Sequence, residues 1–233
     1  MNGVITRMYY GNAASLFGFF LYVFFMSFYR YPNQRVIHYL LCQIGLLGGV
    51  SYMMMADGLL DVEKPGGRII HVGRYVEWFL TTPSQLLVLT NLGRLDVPNA
   101  YALNLFNFTM ILCGLLADWQ EGWQRYVYFA IGMFLFFPIY MFLFEDFDEE
   151  VVRLFAGEYF SRRYYWMGKY LLLSWILYPV VWMLRSTLVL DELGEAVSYS
   201  VLDFFSKIVF QAWVLTGILR PRTQDIPITY VER

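Results

Sequence analysis

The stretch VLDFFSKIVF, residues 201–210, sets a carboxylate and an amine four residues apart, Asp203 and Lys207, inside an otherwise apolar run. A second run, RYVEWFLTTPSQLLVL, carries Arg74, Glu77 and Thr81 at i, i+3 and i+7, one face of a helix. The plainest reading of Asp203 and Lys207 alone is an i,i+4 ion pair that neutralises itself. The second run argues for more, because charges in a bilayer core are costly and concentrate at functional sites. Two carboxylates and two cations sum to zero, so the four can form one closed, mutually paired cluster. Lysine has the distinctive chemistry among them. A desolvated amine gives up its proton more readily and condenses with an aldehyde to a Schiff base. Once protonated, that linkage needs a counter-ion, which carboxylates on its own helix and a facing one supply.

Helices must hold these groups, and the composition says of what kind. The 233 residues are 58% hydrophobic, 20% aromatic and only 15% charged, against about a quarter charged in soluble domains. A run of about 20 apolar residues spans a bilayer. Seven such spans are predicted, at 9–29, 36–60, 72–92, 98–118, 125–144, 165–186 and 197–219. The runs are continuous rather than alternating, which excludes a β-barrel. The fold class expected is therefore an all-α membrane protein, a seven-transmembrane-helix bundle forming one domain over 1–233, with 219–233 a short tail. The first span is too long for a signal segment and is expected to remain. A net charge of −2 gives no reason to expect a nucleic-acid partner. Cys42 and Cys113 lie inside spans without metal spacing, no metal site is expected, and no soluble-enzyme motif is present.

The links carry the expected breakers, RYPNQR, EKPGGR and GRLDVPN, and the fifth, EDFDEEVVRLFAGEYFSRR, is expected to be partly helical at the membrane surface. Arg30, Arg35, Arg94, Arg153, Arg162, Arg163, Lys169, Arg220, Arg222 and Arg233 lie on the odd links and the tail. Fewer, Arg7, Lys64, Arg68, Arg125 and Arg185, lie on the other side. The positive-inside tendency then puts the N-terminus outside and the C-terminus in the cytoplasm. The sixth span holds WILYPVVW, with Trp175, Tyr178 and Trp182 at i, i+3 and i+7 around Pro179. Interfacial belting is the common meaning of such a stripe, but its mid-span position suits a slot for a long flat polyene.

RYVEWFLTTP, WILYPVVW and LDFFSK, in this order on the third, sixth and seventh spans, resemble the microbial (type 1) rhodopsins, seven-helix retinal proteins of the bacteriorhodopsin and proteorhodopsin kind. The resemblance covers essentially the whole chain. It implies all-trans retinal bound covalently to Lys207, with Glu77 as primary counter-ion and proton acceptor where most of the family has Asp. Asp203 would be the second counter-ion, and Arg74 would orient the carboxylate cluster. Trp78, Thr82, Met110, Gly114, Trp175, Tyr178, Pro179 and Trp182 match pocket positions, Phe129 stands where a Trp is usual, and Tyr52 matches a tyrosine near the counter-ions. Photoisomerisation to 13-cis followed by proton transfer toward Glu77 is the implied mechanism.

The family contains pumps, channels and sensors, and the fold does not choose among them. Glu77 can accept a proton, Thr81 lies one turn on, and Glu195, eight residues before Asp203, resembles a proton-release carboxylate. Asp191 and Glu192 read as a solvated acidic loop. Eleven residues after Glu77, where outward pumps place a carboxylic donor, stands Val88, so reprotonation should be slow. The second span has no Glu, unlike typical cation channels, and His38 reads as interfacial. Gln85, eight residues after Glu77, should touch the polyene and move absorption toward the blue. The expectation is slow outward proton translocation; the alternatives are a sensory photoreceptor with a signalling partner, or a light-gated anion channel. Membrane lipid and protons or small ions are the partners implied, with homo-oligomers common in the family.

Overall fold

The computed structural model describes residues 3–29, 35–65, 68–93, 95–144 and 158–218. The fifth link from 145 to 157 and the tail beyond 218, for both of which the sequence raises expectations, lie outside the described residues. Seven membrane-crossing segments follow one another in a bundle. They are α1 (Gly3–Phe28), α2 (Arg35–Ala56), α3 (Val72–Gly93), α4 (Val97–Trp119), a fifth made of α5 (Gln124–Phe134) and α6 (Phe136–Phe144), and α7 (Glu158–Ser186). The seventh is built in three pieces: α8 (Glu192–Asp203), a π-helical turn (Phe204–Val209) and α9 (Phe210–Ile218). Five of the seven are long and apolar enough to cross a membrane by composition alone. The other two, α3 and the seventh segment, are those that carry Arg74, Glu77, Asp203 and Lys207. The chain is an integral, multi-pass membrane protein.

Where the observed ends differ from the expected ones, local polar chemistry is the reason. The seventh segment starts at Glu192 rather than near 197 because Asp191 caps it, accepting from the Gly194 N–H at 2.7 Å. Asp191 is thus a helix cap and not simply a solvated loop residue. The second helix stops at Ala56, short of 60, because Gly58 and Leu60 both adopt positive φ (68° and 66°) and turn the chain. They feed a small hairpin that the sequence did not announce, β1 (Asp61–Glu63) against β2 (Ile69–His71), antiparallel with Asp61 opposite His71. His38, read as interfacial, is fully buried.

The apolar core divides in two. The larger cluster joins Leu41, Leu86, Val88, Leu89, Phe210 and Val214 from α2, α3 and α9 with residues of α4, α6 and α7. A smaller one joins Ile5, Tyr9, Ala13 and Leu16 of α1 to Tyr52 and Met55 of α2 and Ala196 of α8. The charged groups lie between and beyond these clusters.

Candidate functional site

Lys207 sits in the π-helical turn and is 1% exposed. A π turn takes backbone groups off the i→i−4 ladder, and here two carbonyls of the turn also bond to other helices. Ser206 C=O accepts from Gln85 Nε2 on α3 at 2.6 Å, and Phe205 C=O from Tyr170 Oη on α7 at 2.9 Å. The lysine side chain is thereby anchored between α3 and α7. Its Nζ lies 2.8 and 3.0 Å from the two carboxylate oxygens of Glu77 and also donates to Asp203 Oδ1. Asp203 further accepts from Tyr52 Oη and, at 2.7 Å, from Tyr178 Oη. A buried ion pair stands only when its remaining lone pairs are satisfied, and these two phenols do that. Thr81 Oγ1 bonds chiefly to the Glu77 backbone C=O at 2.8 Å, with the Glu77 carboxylate at 3.5 Å. Gly48 lets α2 approach this closely, since a Cβ there would lie 3.3 Å from Glu77 Oε1.

Arg74 does not join this group. Its guanidinium turns to Glu195 Oε1 at 2.9 Å and Tyr9 Oη at 3.3 Å, and lies 4.1 Å from the centre of the Tyr199 ring. Arg185 Nε takes the other Glu195 oxygen at 3.1 Å. In place of the single neutral cluster that the four charges could form, there are two clusters. One amine with two carboxylates sums to −1, and two guanidinium groups with one carboxylate sum to +1. The sequence missed this because Arg185 sits at the far end of α7, in no periodic relation to Glu77. Aromatic rings separate the clusters: Tyr9 against Tyr52 with centroids 5.7 Å apart, and Trp78 against Tyr199 at 5.5 Å.

On the other side of Lys207 opens a cavity of about 770 Å³ of empty space, its mouth included. Trp78, Thr82 and Gln85 line it from α3, and Met110 and Gly114 from α4. Phe129 comes from α5, and Trp175, Tyr178, Pro179 and Trp182 from α7. Every pocket residue read from the sequence reaches it except Tyr52, which faces Asp203 instead. Phe129 stacks on Trp182 at 4.8 Å and 15°, and so forms a flat wall. The sequence did not single out Tyr75, Phe136, Tyr199 or Ser206, which also line the space. Nor did it single out Asn107, whose amide donates to Thr82 Oγ1 at 2.8 Å. Aromatic residues abound in membrane helices, and nothing in their spacing marked these.

Residues 4–219 match the family model described as "Bacteriorhodopsin-like protein". The chain belongs to the microbial rhodopsins. Among curated relatives, the opsin-like protein carO of Fusarium fujikuroi is 29% identical over 203 residues, 79% of this chain. The chain spans 64% of that fungal opsin's length, less than two thirds. Among solved structures, the light-driven proton pump Coccomyxa subellipsoidea rhodopsin superposes with a TM-score of 0.85 at 27% identity, over 93% of this chain and 97% of that one. Halorhodopsin, a light-driven chloride pump, superposes at 0.83 and 23% identity, over 94% and 96%, which shows the fold alone. Microbial rhodopsins bind retinal covalently through a lysine. The residues of this rhodopsin fit that group: a buried amine at one end of a large, aromatic-lined cavity, with two carboxylates against the amine.

Proposed function

We propose that this rhodopsin moves protons outward across the membrane under light, slowly, with Glu77 as acceptor. The observation that carries the reading is the contact of Lys207 Nζ with both Glu77 oxygens, at 2.8 and 3.0 Å. All-trans retinal, when bound at Lys207, supplies a light-driven isomerisation that changes the environment of that nitrogen. The remaining work belongs to the protein. In the resting state Glu77 and Asp203 hold the proton on Nζ by charge. Glu77 then receives it over a hydrogen-bonded distance, suited to general acid–base transfer. Tyr52 and Tyr178 donate to Asp203 and occupy its oxygens, leaving Glu77 as the acceptor. Trp175, Trp182 and Phe129 exclude water and confine the polyene. The hairpin end faces outward and the C-terminus inward, as the arginine and lysine distribution indicates.

Reprotonation of Nζ comes from the α9 side, where the position of a carboxylic donor is taken by Val88, fully buried in the larger apolar cluster. One turn beyond Lys207, Gln211 is fully buried with neither amide atom bonded to any described residue. Buried amides of this kind are satisfied by water, so Gln211 supports a thin water-dependent route and a slow return.

The test is the photocurrent of the retinal-loaded protein under voltage clamp. A steady current of one sign at all voltages is expected, together with a visible band that is absent in Lys207→Ala. A current that reverses with voltage would make the protein a channel. A transient with no steady component would make it a sensor, a reading favoured by the apolar packing around Val88.

A further inference from the structure

The hairpin between α2 and α3 carries a histidine that lies outside the Lys207 cluster and the cavity. His71 closes β2, is 3% exposed, and places Nδ1 2.8 Å from Asp61 Oδ1 across the strand pair. Its ring stands edge-on to Tyr9, with centroids 6.3 Å apart at 86°. The hydroxyl of that same Tyr9 accepts from Arg74. The side chain of Asp61 is 17% exposed, so this pair joins the buried arginine network to water at the hairpin.

We propose that the His71–Asp61 pair is the group that releases the proton to the outside; the proposal rests on the proton-translocation reading. Glu195 is poorly built for the task. Both its oxygens accept from guanidinium groups, and protonating it would leave two like charges facing a neutral acid. His71 is the opposite case. Imidazole changes charge near neutral pH, and its faces are met by one carboxylate, Asp61 on β1, and one phenol, Tyr9 on α1. Behind Tyr9 lie Arg74 on α3 and Glu195 on α8. The hairpin's own cations turn away toward the end of α4: Lys64 to the Trp119 carbonyl and to Glu121 just past the helix, Arg68 to Asp118.

The charge movement that triggers release is electrostatic. When the Nζ proton passes to Glu77, the Lys207 cluster keeps its net charge. Glu77, three residues from Arg74 on the same helix, has nevertheless lost its negative charge. Arg74, paired with Glu195 and bonded to the Tyr9 hydroxyl, then bears more strongly on Tyr9 and His71, and a nearby like charge disfavours the imidazolium. A ring N–H of His71 breaks, its proton passes Asp61 into water, and the neutral ring remains. The ring is recharged when Glu77 gives up its proton at the end of the cycle. One proton leaves outside, one enters at Nζ from the α9 side, and no electrons are transferred.

The experiment uses retinal-loaded full-length protein in lipid nanodiscs under flash excitation. A pH-indicating dye reports protons in bulk water, and the carboxylic C=O infrared band reports Glu77. In wild type the dye is expected to respond as the Glu77 band rises. In His71→Gln the Glu77 band should still form, with the dye response delayed at least about tenfold, until the band decays. Asp61→Asn is the second variant and should likewise delay the dye response while leaving the Glu77 band intact. A dye response unchanged in both variants, or one that in wild type waits for the Glu77 band to decay, overturns the proposal alone. Absence of the Glu77 band in wild type overturns the translocation reading, and this proposal with it.

Discussion

The two halves of the bundle on either side of Lys207 are built on opposite principles. Toward Arg74, the interior holds two charged clusters of opposite sign, with phenols hydrogen-bonded to each. Toward Val88, it holds a packed layer of apolar side chains from α2, α3 and α9. The first half can hold and pass a proton at several atoms. The second can only admit one with water. On the proposed reading, direction comes not from two matched relays but from a well-wired side and a dry one, with the dry side setting the pace.

The largest break in this asymmetry is Glu77→Gln, which removes the proposed acceptor. Steady photocurrent should fall by about 10²- to 10⁴-fold, the usual worth of a positioned proton-transfer group. Flash spectroscopy should then show Nζ keeping its proton through the cycle.

Next in size is Val88→Asp, which puts a carboxylic acid into the dry half. Recovery of the resting spectrum should quicken by up to about 10²-fold, toward the lower end of the same range. Unchanged recovery would mean that Gln211 and its water, not the missing acid, set the pace.

The smallest effect is Gln85→Leu. The Gln85 amide touches both the cavity and the Ser206 carbonyl. Its loss should move the visible band to the red, by about 1 kcal/mol of excitation energy, the scale of one neutral hydrogen bond. An unmoved band would show that the amide serves the π turn alone.

Much of this was legible in the sequence, and for particular reasons. Lys207, Asp203 and Glu77 stood out because charge is conspicuous in apolar runs, and the structure does bring the three together. The cavity wall was legible in the i, i+3, i+7 aromatics of α7. The partner of Arg74 was not. Spacing on α3 suggested Glu77, but the guanidinium is long enough to reach another helix, and Glu195 with Arg185 offers it a better-satisfied site. His71 was invisible because its meaning depends on a hairpin set by two positive-φ residues, Gly58 and Leu60. The π turn left no signal either, since an extra residue in a helical turn changes no side-chain type.

That wide turn also fixes the rotational phase of α9. A π turn holds one residue more than an α turn, and each residue of an α-helix rotates the chain by about 100°. Shortening Phe204–Val209 by one residue would therefore leave Asp203 where it is and turn α9 about its own axis. Gln211 and Phe210 would swing away from the interior and lipid-facing side chains would swing in. The seventh helix is in effect two helices with independent settings, joined at the turn that holds Lys207. One setting aims Asp203, and the other decides what stands on the far side of the lysine nitrogen.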